Sequence, residues 1–464
     1  MRHLGKTLVL ILIGIFALPA LARELPPPPG QPKPFELAEP VTFQLDNGLR
    51  VTLVYFGIVP KVTISVVIET GNKNEGADTW LSDLTGELMK EGTASRSALD
   101  IVNAAADMGG GVNIGVGLDQ TSVSMDVLSE FGGDAIRLMA DILQNPAFPS
   151  SEIPRIKQNF LRNLSIAKTT PRSLASEAFA KLLYGDHPYG VLFAGEEQLE
   201  AYTIEDIKGY YSENFGAART RIYVVGQFDP GEMEAAIRGA FGDWQAGSAP
   251  LDLPPDPHSS LRVKLIDRPG SEQSTIYLGL PVKDMRDPDY VKFRVMHTLL
   301  SGSFSSRITQ NIREDKGYTY SPRASIAHRQ GTAYWVQVAD ITTDVTGAAL
   351  TEIFYEIRNL QASVPPPEEV DKVQNYMAGI FVLQNGSRGG IIGQLAALDL
   401  QGLDASYLNT FVERVLEVTD EEVTALANSQ LPLDQMTLVV VGDMALVEKQ
   451  IRALPELAGA EYVE

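Results

Sequence analysis

Two acidic residues four positions apart, Asp83 and Glu87, form the first pair in this sequence whose spacing suits chemistry on a helix. The segment 80–91 has a helical pattern, and residues at i and i+4 share one helix face. Two carboxylates at this spacing could therefore contact the same cation, and they suit Ca²⁺ or Mg²⁺ better than Zn²⁺. The alternative is a solvated acidic helix face without a ligand, which the sequence alone favours.

A second group with chemical potential surrounds Arg313. Apolar residues recur every four positions before it, which predicts one buried helix stripe: Phe304, Ile308 and Ile312. Gly317 predicts the end of this helix, and Tyr318 and Tyr320 then alternate as on one face of a strand. Arg313 follows the stripe by one position, so its side chain can project towards that strand. A surface ion pair with Glu314 and a half-buried tyrosine would also explain this pattern.

The composition excludes several kinds of site. The 464 residues include 59 acidic and 38 basic side chains, a formal net charge of -21, and no cysteine. This charge argues against nucleic acid and anionic membranes as partners. The lack of cysteine excludes disulfides, thiol nucleophiles, zinc–thiolate sites and iron–sulfur clusters. The later histidines show no ligand spacing: His187, His258, His297 and His328.

The N-terminus resembles an export signal. Residues 1–22 combine a short basic region, an apolar run and small residues at positions 20 and 22, which predicts cleavage after Ala22. An uncleaved anchor is the alternative, but the apolar run is shorter than the ~20 residues that a spanning helix needs. Residues 23–40 are proline-rich and predict an extended tether. We therefore expect a periplasmic or otherwise exported protein with no membrane contact after cleavage.

The sequence also contains an internal duplication. The apolar run at 221–226 recurs at 437–442, 216 positions later, and both runs end in glycine and precede a helical pattern. Four prolines between 249 and 260 indicate a linker. These features predict an N-terminal domain at 41–245, a linker at 246–260 and a C-terminal domain at 261–464.

The local patterns predict an α+β fold. Asp46-Asn47-Gly48 is a hairpin-turn signal within 41–55, and the alternating segment 62–70 predicts the next strand. Helical patterns follow at 80–91, 97–107 and 130–144. Strands joined by hairpins and mixed with helices are typical of the α+β class.

The order of these elements resembles the pitrilysin/insulinase family of zinc peptidases, which includes mitochondrial processing peptidase. The resemblance depends on a strand pair, a helix ending in Glu91-Gly92-Thr93, and the later runs Thr170-Pro171 and Asp186-His187-Pro188-Tyr189-Gly190. It covers nearly the whole mature chain, including the duplication. It implies two homologous domains, each a mostly antiparallel sheet packed with helices, that form one half of a clamshell chamber.

Active members of that family carry an inverted zinc motif, H-x-x-E-H, on the first of these helices. With Gly92 as the anchor, the two histidine positions are Asp83 and Glu87 here, and the position of the catalytic glutamate is Gly86. The family's third ligand, a glutamate on a later helix, falls near Asn163. The resemblance therefore implies a degenerate zinc site and no metal in this chain.

The same family uses an arginine and a tyrosine, seven residues apart in the second half, to hold the substrate backbone and stabilise the oxyanion. The matching residues are Arg313 and Tyr320. A guanidinium and a phenol can both donate hydrogen bonds to a carbonyl oxygen that gains negative charge, and losing one such donor costs ~3 kcal/mol of barrier. The family's strand that matches 112–127 lies at a cleft edge, where an extended peptide can add as a strand. A flexible entry to the strand is an equally good explanation of this segment.

One half of the family's active site is thus replaced and the complementary half is present. We expect a non-catalytic subunit of a heteromeric periplasmic zinc peptidase, inactive alone, that forms a heterodimer with a homologous zinc-bearing partner and acts on peptides. The zinc would belong to the partner. One alternative is a catalytically inert envelope protein that binds peptides or proteins or serves as a scaffold. Another is an independent hydrolase that uses Asp83 and Glu87 with a different metal.

Overall fold

The computed structural model describes residues 35–464, and these form two six-stranded sheets packed with helices. The predicted signal and most of the predicted tether lie outside this range. The first sheet has the strand order β1-β2-β6-β3-β5-β4. Its strands are β1 (Val41–Gln44), β2 (Arg50–Tyr55), β3 (Lys61–Ile68), β4 (Val112–Val116), β5 (Thr121–Leu128) and β6 (Thr220–Gly226).

The second sheet repeats this plan with the order β12-β7-β11-β8-β10-β9. Its strands are β7 (Arg262–Asp267), β8 (Gln273–Val282), β9 (Arg323–Arg329), β10 (Thr332–Thr342), β11 (Thr437–Gly442) and β12 (Glu461–Val463). Most neighbouring strands are antiparallel, but β2 runs parallel to β6, and β7 runs parallel to β11 and β12. The predicted α+β class with two mostly antiparallel sheets is therefore confirmed, with one mixed pairing region in each sheet.

Helices connect the strands within both halves. Those before the predicted linker are α1 (Leu81–Met89), α2 (Ala98–Asp107), α3 (Gly132–Gln144), α4 (Ile153–Ala167), α5 (Pro171–Tyr184), α6 (Glu196–Ala201), α7 (Ile204–Asn214) and α8 (Pro230–Phe241). Those after it are α9 (Tyr290–His297), α10 (Arg307–Thr309), α11 (Thr346–Ala362), α12 (Pro367–Gln384), α13 (Arg388–Leu400), α14 (Ser406–Leu416), α15 (Asp420–Gln430) and α16 (Met444–Arg452). Two π-helical segments flank α10, at Thr298–Gly302 and Gln310–Asp315. No helix between residues 35 and 464 is long and apolar enough to cross a membrane.

The two halves exchange helices. Helix α5 belongs to the first half but packs on β8 and β11 of the second sheet, where Phe179 and Leu183 contact a buried cluster that includes Val439. Helix α13 belongs to the second half but packs on β3 and β6 of the first sheet, with Leu395 and Tyr223 in one core. Each half therefore completes the apolar core of the other.

A polar clasp accompanies each exchanged helix. At the start of α5, the Arg172 guanidinium donates to Asp340 Oδ2 at 2.6 and 2.9 Å, and Thr275 Oγ1 donates to Asp340 Oδ1 at 2.7 Å. The second clasp, at the start of α13, joins the same three residue types. Arg388 donates to Asp126 Oδ1 at 2.9 Å, and Thr63 Oγ1 donates to the same oxygen at 2.7 Å.

The two clasps follow the sequence duplication. Arg172 and Arg388 are 216 positions apart, the same interval as Gly226 and Gly442. The repeated sequence therefore encodes a repeated contact in which each half holds the other.

Candidate functional site

Helix α1 carries the three positions that replace the family's zinc motif. The Asp83 carboxylate is partly buried and accepts a hydrogen bond from Asn72 Nδ2 at 2.6 Å. Glu87, one turn later, pairs with Lys90 Nζ at 2.5 Å. Burial raises the pKa of Asp83 to about 6, and the nearby Glu87 carboxylate adds to this rise, while the hydrogen bond from Asn72 opposes it.

Gly86, which replaces the catalytic glutamate, faces strand β4. A Cβ atom at Gly86 would lie 2.6 Å from Val116 Cγ2, well inside van der Waals contact. The valine therefore occupies the space that a side chain at position 86 would need. This position offers no general base and no room for one without movement of the strand's side chain.

The fourth position of the zinc site, Asn163, lies on α4 and is exposed. An amide, a glycine and two carboxylates with protein partners are poor replacements for two histidines and two glutamates. Between residues 35 and 464, no three histidine, aspartate or glutamate side chains are grouped so that they could hold a metal ion. The residues present do not fit the family's zinc site.

A buried carboxylate that the sequence patterns did not single out lies beside these positions. Glu75 accepts hydrogen bonds from the backbone N–H groups of Trp80 and Ser82 at 2.9 and 2.8 Å, at the N-terminus of α1. The Ser82 hydroxyl and Asn72 Nδ2 also donate to it. Glu75 is only 7% exposed, and this burial raises its pKa to about 7 despite the hydrogen bonds. Glu75 thus anchors the start of the helix that carries the degenerate positions.

The structure brings Arg313 and Tyr320 together. Arg313 lies in the π-helical segment Gln310–Asp315, and the chain turns at Gly317, whose φ is +64°. The Arg313 guanidinium carbon lies 4.9 Å from the centre of the Tyr320 ring and 4.5 Å from that of Phe304. Its Nε also pairs with Glu314 at 3.1 Å, as the simpler interpretation of the sequence expects. Two aromatic rings therefore hold a guanidinium at the protein surface.

Two details of the local prediction are wrong. Ile308 and Ile312 are fully buried, but Phe304 is 63% exposed because the helix begins only after it, at Arg307. The residues after Gly317 form no regular strand, and Thr319 alone makes an isolated bridge to Ile341. Tyr320 is consequently 79% exposed, and its hydroxyl makes no hydrogen bond to any of residues 35–464. The phenol is available to a group beyond residues 35–464, and so is the guanidinium apart from its ion pair with Glu314.

The segment 112–127, which the resemblance matches to the family's cleft-edge strand, forms two strands instead of one, and the first of them, β4, is the last strand of the first sheet. It pairs with β5 on one side, from Val112 opposite Met125 to Val116 opposite Thr121. The other side of the strand has no neighbour within the sheet, and Asn113 and Gly115 are exposed. Such an edge presents backbone groups to which an extended peptide could bind.

Comparisons with known proteins identify the family and the fold. Residues 51–195 match the family model of insulinase (peptidase family M16), and residues 201–377 match that of the peptidase M16 inactive domain. Uncharacterized zinc proteases of Mycobacterium bovis and Mycobacterium tuberculosis are each 25% identical over 408 residues, which cover 83% of this chain and 90% of each relative. Another from Bacillus subtilis is 26% identical over 282 residues, which cover 60% of this chain and 68% of that protein.

Two solved structures share the fold. A peptidase M16 inactive domain from Pseudomonas fluorescens has a TM-score of 0.80 at 25% identity and covers 87% of this chain and 98% of its own. A protease from Helicobacter pylori has a TM-score of 0.82 at 18% identity and covers 88% of this chain and all of its own, which shows the shared fold alone.

Proposed function

Since the chain belongs to the insulinase family (peptidase family M16) and lacks the motif H-x-x-E-H, we propose that it is the non-catalytic subunit of a heteromeric zinc peptidase. The observation that carries this proposal is the contrast between its two candidate sites. Asp83, Gly86 and Glu87 do not suit zinc. Arg313 and Tyr320, by contrast, lie together at the surface, although the described residues offer no fitting zinc site with which they could act. Such a chain contributes to peptide cleavage only beside a homologous subunit that holds the metal.

Arg313 and Tyr320 are suited to the role of oxyanion donors. Cation–π contacts with two rings restrict the guanidinium, so less conformational entropy is lost when it binds a carbonyl oxygen. The exposed phenol of Tyr320 supplies a second donor. A donor aimed at a developing oxyanion lowers the barrier by ~3 kcal/mol. The two residues would act on a peptide whose scissile bond lies at the zinc of the partner.

The proposed site of action is the periplasm or another exported location, which is supported by the signal-like pattern of residues 1–22. The exposed edge of β4 supports a peptide as the substrate class, because an extended chain can pair with it.

The decisive experiment compares three peptidase assays: this chain alone, the zinc-bearing homologue alone, and their mixture, with metal analysis of each sample. We expect zinc in the homologue and full activity only in the mixture. Arg313→Ala should lower kcat of the mixture by about 100-fold, and Tyr320→Phe by about 10- to 100-fold, with the two chains still associated.

A matched control exists within the chain. Arg414 stacks over the ring of Tyr407 at 5.0 Å in the second half, so Arg414→Ala and Tyr407→Phe disturb a similar contact elsewhere. These controls should leave activity unchanged. Wild-type rates in Arg313→Ala and Tyr320→Phe would mean that the pair is structural, and strong zinc-dependent hydrolysis by the single chain would refute the proposal.

A second candidate function is catalytically inert peptide binding in the cell envelope, as a capture protein or a scaffold. The free edge of β4 favours it, since strand addition needs no metal and no partner. This alternative predicts peptide binding by the chain alone and no gain in activity on mixing with the homologue.

A further inference from the structure

A cavity of about 510 Å³ lies in the second half, between edge strand β9 and helices α9, α12 and α13. Its volume falls within the range of small-molecule sites. One wall is apolar and includes Ile326, Met377, Ile380, Phe381 and Leu400. The cavity is made entirely from residues other than those of the proposed peptidase site.

Among residues 35–464, Arg294 is the only charged side chain that lines this cavity, apart from two histidines, and no acidic residue lines it. Its guanidinium lies over the ring of Phe411 at 4.7 Å. Within residues 35–464 it forms no ion pair and donates no hydrogen bond. The neighbouring carboxylate, Asp284, is occupied by Arg286, which donates to it at 2.5, 3.0 and 3.1 Å. The positive charge of Arg294 is therefore not neutralised by any of the described residues.

His297 lies one turn after Arg294 on α9, so both side chains share one helix face at the cavity. Trp335 Nε1 donates to His297 Nδ1 at 3.0 Å, which assigns the imidazole proton to Nε2. Nε2 makes no hydrogen bond to the described residues. Burial, reinforced by the Arg294 charge, lowers the pKa of His297 to about 3, so the ring is a neutral N–H donor at pH 7.

The second histidine also adds no charge. Tyr290 and His328 share a hydrogen bond of 2.6 Å between the phenol oxygen and Nε2. Burial and the Arg294 charge lower the pKa of His328 to about 4. Its Nδ1 atom is buried and has no hydrogen-bond partner in the part of the chain that the structure describes. The cavity thus offers one positive charge and several neutral polar groups against an apolar wall.

We propose that this cavity binds a small carboxylate with an apolar body, with the carboxylate at Arg294 and His297. A guanidinium binds a carboxylate through two parallel hydrogen bonds, and the neutral imidazole adds a third donor. Ile380, Phe381 and Leu400 would contact the apolar part. A fatty acid and the free C-terminus of a short apolar peptide share this chemistry.

Calorimetric titration of the purified full chain tests the proposal without any partner subunit, so it is independent of the peptidase proposal. The probes are decanoate and N-acetyl-leucyl-leucine, each compared with its neutral amide. We expect at least one of the two acids to bind and its amide to bind at least 10-fold more weakly. Binding of decanoate alone would identify a fatty acid as the source, and binding of the dipeptide alone would identify a peptide terminus.

Variants test the contact directly. Arg294→Met keeps most of the volume and should weaken binding of the acid by roughly 10- to 100-fold. Arg294→Lys keeps the positive charge but loses the two parallel N–H donors of the guanidinium, so it should bind the acid with intermediate affinity. It replaces the methionine variant in this test if that variant unfolds. Arg452→Met removes an arginine that also stacks on a ring, at 4.1 Å from Tyr462, and should bind as the wild type does. Equal affinity for acid and amide, unchanged binding by Arg294→Met, or no binding of either acid at about 1 mM would overturn the proposal.

Discussion

Replacing Glu75 with glutamine should change how the stability of the protein depends on pH. The Glu75 carboxyl is buried at the N-terminus of α1, and its pKa rises from an ordinary value of 4.5 to about 7. In the unfolded chain the same carboxyl titrates near its ordinary value. Between these two pH values the folded state keeps a proton that the unfolded state releases, so this group's contribution to stability falls as pH rises.

The size of the effect follows from the difference in pKa. A shift of about 2.5 units corresponds to about 3 kcal/mol of unfolding free energy, lost between about pH 4.5 and pH 7. Glutamine does not ionise, and it keeps one carbonyl oxygen, which can accept the N–H of either Trp80 or Ser82, since these two groups bond to different oxygens of Glu75. The Glu75→Gln variant should therefore be less stable than or similar to the wild type at pH 4.5, and gain about 3 kcal/mol relative to it by pH 7.5.

The unfolding free energies of wild type and variant must be compared at each pH, because the pH dependence of the wild type alone contains contributions from other groups. His297 and His328 have lowered pKa values, about 3 and about 4, so they contribute stability that is lost as pH falls below their ordinary value of 6.5. Their effect has the opposite sign in the same pH window and can mask that of Glu75. It cancels in the difference between wild type and variant.

Urea unfolding, followed by tryptophan fluorescence at half-unit steps from pH 4.5 to 7.5, measures this difference. Trp80 donates its backbone N–H to Glu75, so one of the three tryptophans reports close to the site. A difference between the two proteins that stays constant within about 0.5 kcal/mol across the range would show that Glu75 is ionised in the folded protein, and the reasoning from burial would fail.

Two further predictions concern packing. Arg172→Ala and Arg388→Ala each remove the arginine of one clasp. Arg172→Ala should lower the unfolding free energy by about 2–3 kcal/mol, and Arg388→Ala by about 1–2 kcal/mol because Lys61 still pairs with Asp126 at 2.6 Å; urea unfolding measures both. An effect below about 0.5 kcal/mol would place the clasps among ordinary surface ion pairs. Gly86→Ala should destabilise the wild type by about 1–2 kcal/mol but not the Val116→Ala variant, where the added methyl group has room. Equal effects in both backgrounds, measured by thermal unfolding, would contradict the proposed clash.

The sequence predicts hairpins and individual helices well because turn residues, caps and periodicity lie within a few positions of the element that they define. Asp46-Asn47-Gly48 predicts a hairpin, and Gly48 indeed joins β1 to β2 with a φ of +92°. The helical pattern at 97–107 corresponds to α2 (Ala98–Asp107), whose N-cap Ser97 accepts from the backbone N–H of Asp100. The exchange of α5 and α13 could not be predicted in the same way. Hydrophobic periodicity shows which face of a helix is buried, but not which sheet covers it.

The candidate sites show the same limit. Arg313 and Tyr320 could be paired at the level of the sequence only through the family resemblance, and the stacking of Phe304 depended on where α10 begins. Glu75 lies in an irregular segment, so no periodic pattern in the sequence indicates that its side chain anchors the start of α1. His297 and His328 show no ligand spacing, yet a helix and an edge strand place them beside one cavity.

The packing of α1 suggests a structural role for this helix in the first half of the protein. The helix has lost the family's zinc ligands but keeps a buried face, with Leu84 and Leu88 almost fully enclosed, and a fixed N-terminus at Glu75. Gly86 lets the helix approach β4 closely, so the helix and the edge strand form one packed unit. A helix held in this way is suited to supporting the β4 edge, the proposed place of peptide binding, even though it has no chemistry of its own. Restoring histidines at 83 and 87 alone would therefore not create a peptidase, because position 86 is filled by Val116 and Asn163 offers no carboxylate.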